Sequence, residues 1–332
     1  MKGPDKAEND LLGICIPTFN RASYLEKCLC SITEDFKNFG FPIYISDNCS
    51  TDNTKYVIER YQKKYDNIFY IKNDSNMGLY LNILNVIKMA KSRYIWLMGD
   101  DDAILPESVE KILAKISEGN DYIVGNSIPY DKSLTRKKFD KIIECDDDRK
   151  YAEGETLNLL RDLKKWTYHG FMSSMIIRRD LVNPIIEKYY DPHFPLYANN
   201  WVPMALFYEA IVNRRGTFIC EPVIKKRRDN LRTSGTDFWS YTFLDHLKVM
   251  DYLKNNKYPF LDIRDFLKLR DIVYAVIVSK HKDPNIILFS SFIKKTEFFS
   301  FQLKLLLILF DKIPRFGINI LYSIIKVLFA ET

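Results

Sequence analysis

With 332 residues, 47% hydrophobic and 28% charged, the chain has the composition of a folded protein large enough for one big domain or two smaller ones. Those figures, with only 12 Gly and 13 Pro, exclude a disordered or collagen-like chain. The 49 Lys and Arg exceed the 43 Asp and Glu by 6, too small an excess to argue for nucleic acid by itself.

In chain order, Leu11–Ile16 is a short apolar run ended by Pro17, which suits a buried strand. Residues 22–37 carry Tyr24, Leu25, Cys28, Leu29 and Ile32 at helical spacing. Pro42–Ser46 predicts a second strand, Thr54–Tyr65 a helix, and Ile68–Lys72 a third strand. Leu79–Lys91 and Tyr94–Met98 continue the alternation. Pro106–Ser117 begins with Pro where a helix tolerates its missing N–H, and Tyr122–Val124 is a fifth strand. Alternation of this kind predicts an α/β fold with a mostly parallel sheet and helices on both faces. Right-handed crossovers then bring the C-terminal strand ends to one rim, where ligands bind.

Polar clusters fall at four of those ends: Pro17-Thr18-Phe19-Asn20-Arg21, Ser46 to Asp52, Asn73 to Gly78, and Gly99-Asp100-Asp101-Asp102. Turn and cap chemistry accounts for Asp52 and Thr54 as readily as function does. It accounts poorly for three adjacent Asp residues, because like charges repel and a cap needs one. Such a triplet suits Mg²⁺ or Mn²⁺, which takes one or two carboxylates and fills its remaining positions with water and phosphate. Asp47, at the second strand end, stands where nucleotide-binding sheets hold a base or ribose. GxGxxG and GxxxxGK[ST] are absent, which disfavours dinucleotide dehydrogenases and P-loop enzymes.

The segments ICIPTFNRASYLEKCLCSI, ISDNCSTDNT, NDSNMGLYLNIL and YIWLMGDDDAILPESV resemble the N-terminal half of the inverting family 2 glycosyltransferases, over residues 11–125. GDDD, where many relatives have LDADD, is similar to the abequosyltransferase-like branch that decorates bacterial surface polysaccharides. The resemblance implies the GT-A nucleotide-sugar fold, with Pro17, Thr18 and Asn20 lining the nucleotide pocket and Arg21 beside it. It also implies that Asp47 accepts from the base, that Asn76 and Gly78 approach base and ribose, and that Asp100 lies on the ribose side. Asp101 would bind the metal, and Asp102 would be a second ligand or orient the first. Gly99 replaces the first Asp of the motif in many relatives.

An inverting transfer also needs a base for the acceptor hydroxyl. Where many relatives carry an acidic pair, this sequence has Asn199-Asn200, and asparagine cannot accept that proton. The candidates nearby are Asp191 first and His193 second, in DPHFP, with His169 more distant; a turn cap and a packed imidazole are the plainer readings. Residues 213–232 hold seven basic and two acidic side chains. They read either as a loop closing on the diphosphate through Arg227, Arg228 or Arg232, with Arg228 as the representative choice, or as a solvated or lipid-facing basic stretch.

Six cysteines show no CxxC pair and no His at metal spacing, so free, mostly buried thiols in a reducing compartment are expected rather than a disulfide framework. The polar opening MKGPDKAEND lacks a secretory apolar core, and no uncharged apolar run reaches the roughly 18 residues of a membrane span. The expectation is a cytoplasmic protein at the inner face of the cell membrane. From about Pro284 to Phe329, Phe, Leu and Ile alternate with Lys and Arg, which suits either membrane-interface helices or a helical cap and contact between copies. The resulting organisation is 10–125 for the nucleotide-sugar half, 126–235 for the acceptor half, and 236–332 for a C-terminal helical region. The expected function is metal-dependent inverting transfer from a UDP-sugar, or alternatively a CDP-sugar, to a surface polysaccharide or lipid-linked oligosaccharide. No nucleic-acid partner is expected. The rival reading is a non-catalytic nucleotide-sugar-binding scaffold.

Overall fold

The structure, a computed structural model, describes residues 10–36, 40–163, 166–228 and 237–261. The chain divides into two compact units, Met1–Leu163 with Thr167–Asn230, and Lys164–Trp166 with Leu231–Thr332. Segments 10–125 and 126–235, separated in the sequence reading, contribute strands to one sheet in the first unit. In the second unit the described part is chiefly one helix, Asp237–Asn256. The expected amphipathic stretch from 284 to 329 and Arg232 lie outside the described residues. Among the described residues no helix is long and apolar enough to cross a membrane.

The first unit begins with β1 (Leu12–Thr18), α1 (Ala22–Phe36), β2 (Ile43–Asp47), α2 (Thr54–Gln62), β3 (Ile68–Lys72), α3 (Gly78–Met89) and β4 (Tyr94–Leu97). Strands β3, β2, β1 and β4 lie side by side, all parallel. Every residue of β1, β2 and β4 is buried, as expected of strands covered on both faces. Each Ile, Leu or Val side chain fully withdrawn from water in this layer contributes roughly 1.5–3 kcal/mol. Gly13 is required by close approach, since a Cβ there would sit 2.5 Å from Ser92 Oγ and 2.8 Å from the Tyr44 ring. Pro17 does not end β1 as expected. It pairs with Ser46 on β2, and β1 meets β4 only as far as Cys15 opposite Leu97. The missing N–H therefore interrupts no ladder bond.

Next come β5 (Ala103–Ile104), α4 (Ser108–Ser117), β6 (Tyr122–Tyr130), β7 (Arg149–Tyr151), α5 (Thr156–Leu163), α6 (Trp166–His169), β8 (Met175–Arg178), α7 (Arg179–Ile186), α8 (Val202–Ala210) and β9 (Gly216–Arg227). The sheet order is β3-β2-β1-β4-β8-β6-β9-β5, with β7 also on β9. Strand β8 is antiparallel to both β4 and β6, while β6 and β9 are parallel. The basic stretch read as a mobile loop is therefore largely β9, a twelve-residue strand whose last residue is Arg227.

Where β6 and β9 slip register, at Gly125 to Ser127, the buried Asn126 fills the gap. Its Nδ2 donates to the carbonyls of Ile143 and Cys220, and its Oδ1 accepts from the N–H groups of Ser127 and Ile143. That arrangement carries the 143–145 segment onto β9, where Cys145 and Cys220 form a disulfide with Cα atoms 5.8 Å apart. The expectation of unpaired thiols fails here, because 75 residues separate two cysteines that only the sheet brings together. With it goes the observation from which a reducing compartment was read. Cys15 and Cys28 are buried thiols, while Cys30 is exposed.

Candidate active site

The C-terminal ends of β1, β2 and β4 deliver their loops to one rim. Asn20 and Cys49, in the loops after β1 and β2, adopt left-handed backbone with φ of 51° and 65°. These are conformations a non-glycine residue holds only when its surroundings fix it. The fixing contacts are visible. Asn20 Oδ1 accepts from Thr51 N–H and its own N–H donates to Ser50 Oγ, tying the first loop to the second. Asp52 accepts from Ala22 N–H at the start of α1 and from Thr54 at the start of α2. Its role is the capping one.

Asp47 is fully buried, its Oδ1 accepting from Ser50 N–H and its Oδ2 from the Tyr70 hydroxyl. In this arrangement each carboxylate oxygen accepts one hydrogen bond from within the fold, and Asp47 helps to shape the second loop. Asn76 is exposed. Its Oδ1 accepts from Asn48 Nδ2 at 2.6 Å and from Gly78 N–H at 2.9 Å, and Gly78 has φ +80°. Behind these loops Asn82 of α3 donates to the Thr18 and Ser46 carbonyls and accepts from the Ser46 hydroxyl and Asn73. Nothing in the polar clusters pointed to Asn82, which sits inside a helical apolar stripe.

The three aspartates after β4 occupy three different environments. Asp100 is buried, accepting from the Thr18 hydroxyl and from Arg21 Nη1, both at 2.8 Å. Asp102 is buried as well; its Oδ2 accepts from the Ser173 hydroxyl at 2.6 Å and its Oδ1 from Arg227 N–H at 2.9 Å. Burial, with Asp101 next to it, pushes the Asp102 carboxyl up to about 7. Asp101 alone of the three keeps a quarter of its side chain exposed, and its Oδ2 lies 2.9 Å from Arg21 Nη1. One Arg21 nitrogen thus bridges Asp100 and Asp101. Burial works to lower the Arg21 value, but the two carboxylates outweigh it and the group is held above its ordinary range.

Ser173 was not singled out from the sequence, and Arg227 was named only as one of three candidates in the basic stretch. Ser173 receives Gly99 N–H on its Oγ while donating to Asp102, and its carbonyl accepts from Trp96 Nε1. A Cβ on Gly99 would lie 3.0 Å from Asp101 Oδ1 and 3.3 Å from Ser173 Oγ, which explains glycine here in spatial terms. Arg227 donates from Nε to the Asp101 carbonyl at 2.6 Å, and the Tyr24 ring lies against both Arg227 and Arg21, 4.8 and 5.1 Å away. Arg228, the representative chosen from sequence, instead places its guanidinium over the Phe139 ring at 5.5 Å. The reason is strand alternation, which sends neighbouring side chains to opposite faces.

Among the described residues no group of three or more His, Cys, Asp or Glu side chains is arranged to hold a metal. The residues present would fit a cation that takes the part-exposed carboxylate of Asp101 and completes its shell with phosphate and water. Asp102, expected as a second ligand or as a support, has one oxygen bonded to Ser173 and the other to Arg227.

Asp191 and His193 follow a 3₁₀ turn, Glu187–Tyr190, whose Tyr189 carbonyl accepts from the Tyr80 hydroxyl on α3. Tyr197 meets the same Tyr80 ring edge-on at 5.5 Å. The segment thus lies against the first turns of α3, just beyond the Asn76–Gly78 loop. Both residues are exposed, and Asp191 Oδ1 accepts from His193 N–H. His169 is buried instead, its Nε2 bonded to the Leu160 carbonyl and its ring edge-on to Tyr208, and burial lowers it to about 4. It is a packed imidazole, not a base at the rim. Asn199 is buried and accepts from Trp201 N–H at the start of α8.

Comparison with known proteins agrees with this geometry. The abequosyltransferase RfbV of Salmonella typhimurium is 41% identical over 101 residues, 30% of each chain. A GalNAc(5)-diNAcBac-PP-undecaprenol beta-1,3-glucosyltransferase of Campylobacter jejuni is 33% identical over 130 residues, 39% of this chain and 41% of that one. The chain thus spans less than half the length of these two relatives. In fold it is similar to S. aureus TarS 1–349 in complex with UDP-GlcNAc, with a TM-score of 0.54 over 90% of this chain and 79% of that one at 16% identity. The family profile described as "Glycosyl transferase family 2" matches residues 13–185, just over half of the sequence, and the chain belongs to that family.

Proposed function

We propose that this protein is an inverting glycosyltransferase moving one sugar from a nucleoside diphosphate sugar, UDP by default and CDP as the alternative, to a hydroxyl of a bacterial surface polysaccharide or lipid-linked oligosaccharide. The observation that carries this reading is the single part-exposed carboxylate, Asp101, held at a strand-end rim by Arg21 and backed by two buried aspartates. The names of the relatives support it: an abequosyltransferase, a glucosyltransferase of a lipid-diphosphate glycan, and a fold neighbour crystallised with UDP-GlcNAc.

In this scheme the nucleotide lies along the loops after β1, β2 and β3, with Asn76 and the Gly78 backbone at the open edge. The diphosphate reaches Arg21, which can turn donors toward phosphate oxygens as readily as toward carboxylates. Mg²⁺ or Mn²⁺ on Asp101, when bound, supplies positive charge against the departing diphosphate. Asp102, Ser173 and Gly99 keep the Asp101 backbone in place. Asp191 is assigned as the base: its Oδ1 is committed to His193 N–H, while its Oδ2 makes no hydrogen bond among the described residues. It takes the acceptor proton as the acceptor oxygen bonds to the anomeric carbon, and the bond from that carbon to the diphosphate oxygen breaks. His193 is the second choice.

A turnover assay with a panel of UDP- and CDP-sugars and candidate acceptors tests the reading. Nucleoside diphosphate release that requires Mg²⁺ or Mn²⁺ and a product of inverted anomeric configuration are expected. A product with the donor's configuration would refute inversion. Nucleotide binding with no diphosphate release, whatever the acceptor, would favour the scaffold.

A further inference from the structure

A cleft of about 530 Å³ opens beside the aspartates, between α1, the segment after β6 and the end of β9. Five basic side chains line it, Lys27, Lys132, Arg136, Lys138 and Arg227, against one acid, Asp131. That acid is turned onto its own loop, where it accepts from the backbone of Thr135 and Arg136 and from the Ser133 hydroxyl. The charged ends of Lys132 and Arg136 form no hydrogen bond or ion pair among the described residues. Most telling is Arg227, only 6% exposed. Its Nε serves the Asp101 carbonyl and its Nη1 the Lys132 carbonyl, yet its Nη2, also buried, has no acceptor among the described residues. Buried guanidinium donors are costly to leave unmade, so an unpaired one in a wall of cations marks where an acceptor-rich anion belongs.

The position decides which anion. Thr18, Asp47 and Asn76 come from the β1, β2 and β3 ends, while β4 and β8 separate β1 from β6, which leads into the cleft. The Tyr24 ring lies against both Arg21 and Arg227, and of the two only Arg227 lines the cleft. A donor lying on the nucleotide loops fills the first region and leaves the second open. Resting on the transferase reading above, we propose that the cleft binds a phosphate or diphosphate group carried by the acceptor, anchoring it while its hydroxyl reaches the anomeric carbon. Arg227 then couples the two halves, since the guanidinium that meets the acceptor phosphate also holds the Asp101 backbone. The same chemistry is offered by phosphodiesters within a polymer and by a diphosphate joining a glycan to a lipid.

The test titrates the full chain, in magnesium buffer with UDP at saturation, with inorganic pyrophosphate and separately with a soluble oligomer of glycerol phosphate diesters. The expected result is salt-sensitive binding of at least one probe, weakened about tenfold or more in K132A/R136A. UDP affinity should be unchanged in that variant, whose two side chains are exposed and make no hydrogen bond or ion pair among the described residues. Preference for pyrophosphate points to a lipid-linked diphosphate, and preference for the oligomer to a phosphodiester polymer. Binding of neither probe, or equal binding by wild type and K132A/R136A, overturns the proposal. So does loss of UDP affinity in the variant, which would assign the cleft to the donor. If UDP itself fails to bind while pyrophosphate still depends on Lys132 and Arg136, the donor reading fails and the anion site stands.

Discussion

Asp101→Asn is expected to lower sugar transfer by about a thousandfold or more while leaving the fold intact. The substitution removes one negative charge and almost no volume. Arg21 keeps its 2.8 Å bond to Asp100, and the backbone at position 101 keeps its bond from Arg227, so the loop retains its supports. What disappears is the one triplet carboxylate that is part-exposed, to which the proposed mechanism assigns the cation. Diphosphate release measured beside a thermal melt separates the two effects. An unchanged melt with collapsed turnover is the expected result, and wild-type turnover would remove Asp101 from the reaction.

The second large effect is on stability and concerns His169. Its ordinary value is 6.5, and burial lowers it to about 4 in the folded chain. The unfolded chain therefore takes up a proton at higher pH than the folded one, and folding is opposed as pH falls through that window. The stability contributed by keeping the imidazole neutral is fully present above 6.5 and is lost progressively down to about 4. Linkage puts the loss at about 2 kcal/mol between about pH 7.5 and about pH 5. His169→Gln removes the titration, so its urea midpoint should vary less with pH than that of the wild type, whatever its absolute stability. Identical pH dependence in the two proteins would show that His169 charges without cost.

The half of the sheet that carries the nucleotide loops was legible from residues because its strands are short uninterrupted apolar runs. Leu12–Thr18 and Ile43–Asp47 are bounded by polar turns that announce the rim. The other half hides its strands. β8 has four residues and β5 two, and β9 carries Lys and Arg at its end, so it reads as a solvated stretch although it is a strand of the central sheet. The same contrast holds within the site. Thr18, Arg21 and the three aspartates stand out as clusters, but Ser173 reaches Asp102 from 71 residues away with no local pattern to mark it, and the basic stretch that marks Arg227 does not reveal its bond to Asp102 from 125 residues away. Cys145 and Cys220 escaped notice for the same reason. Asp47 shows the converse limit. The resemblance picks out the residue, but only the structure reveals that its oxygens are spent on Ser50 and Tyr70.

Amide hydrogen exchange on the full chain, with and without UDP and Mn²⁺, tests the central claim most directly, because it asks where a nucleotide goes before asking what becomes of it. Slowed exchange in peptides covering 17–22, 46–52, 73–78 and 99–102, with the back of the sheet unaffected, is the predicted result. Well-folded protein showing no slowing at those loops, or slowing confined to other segments, would contradict it.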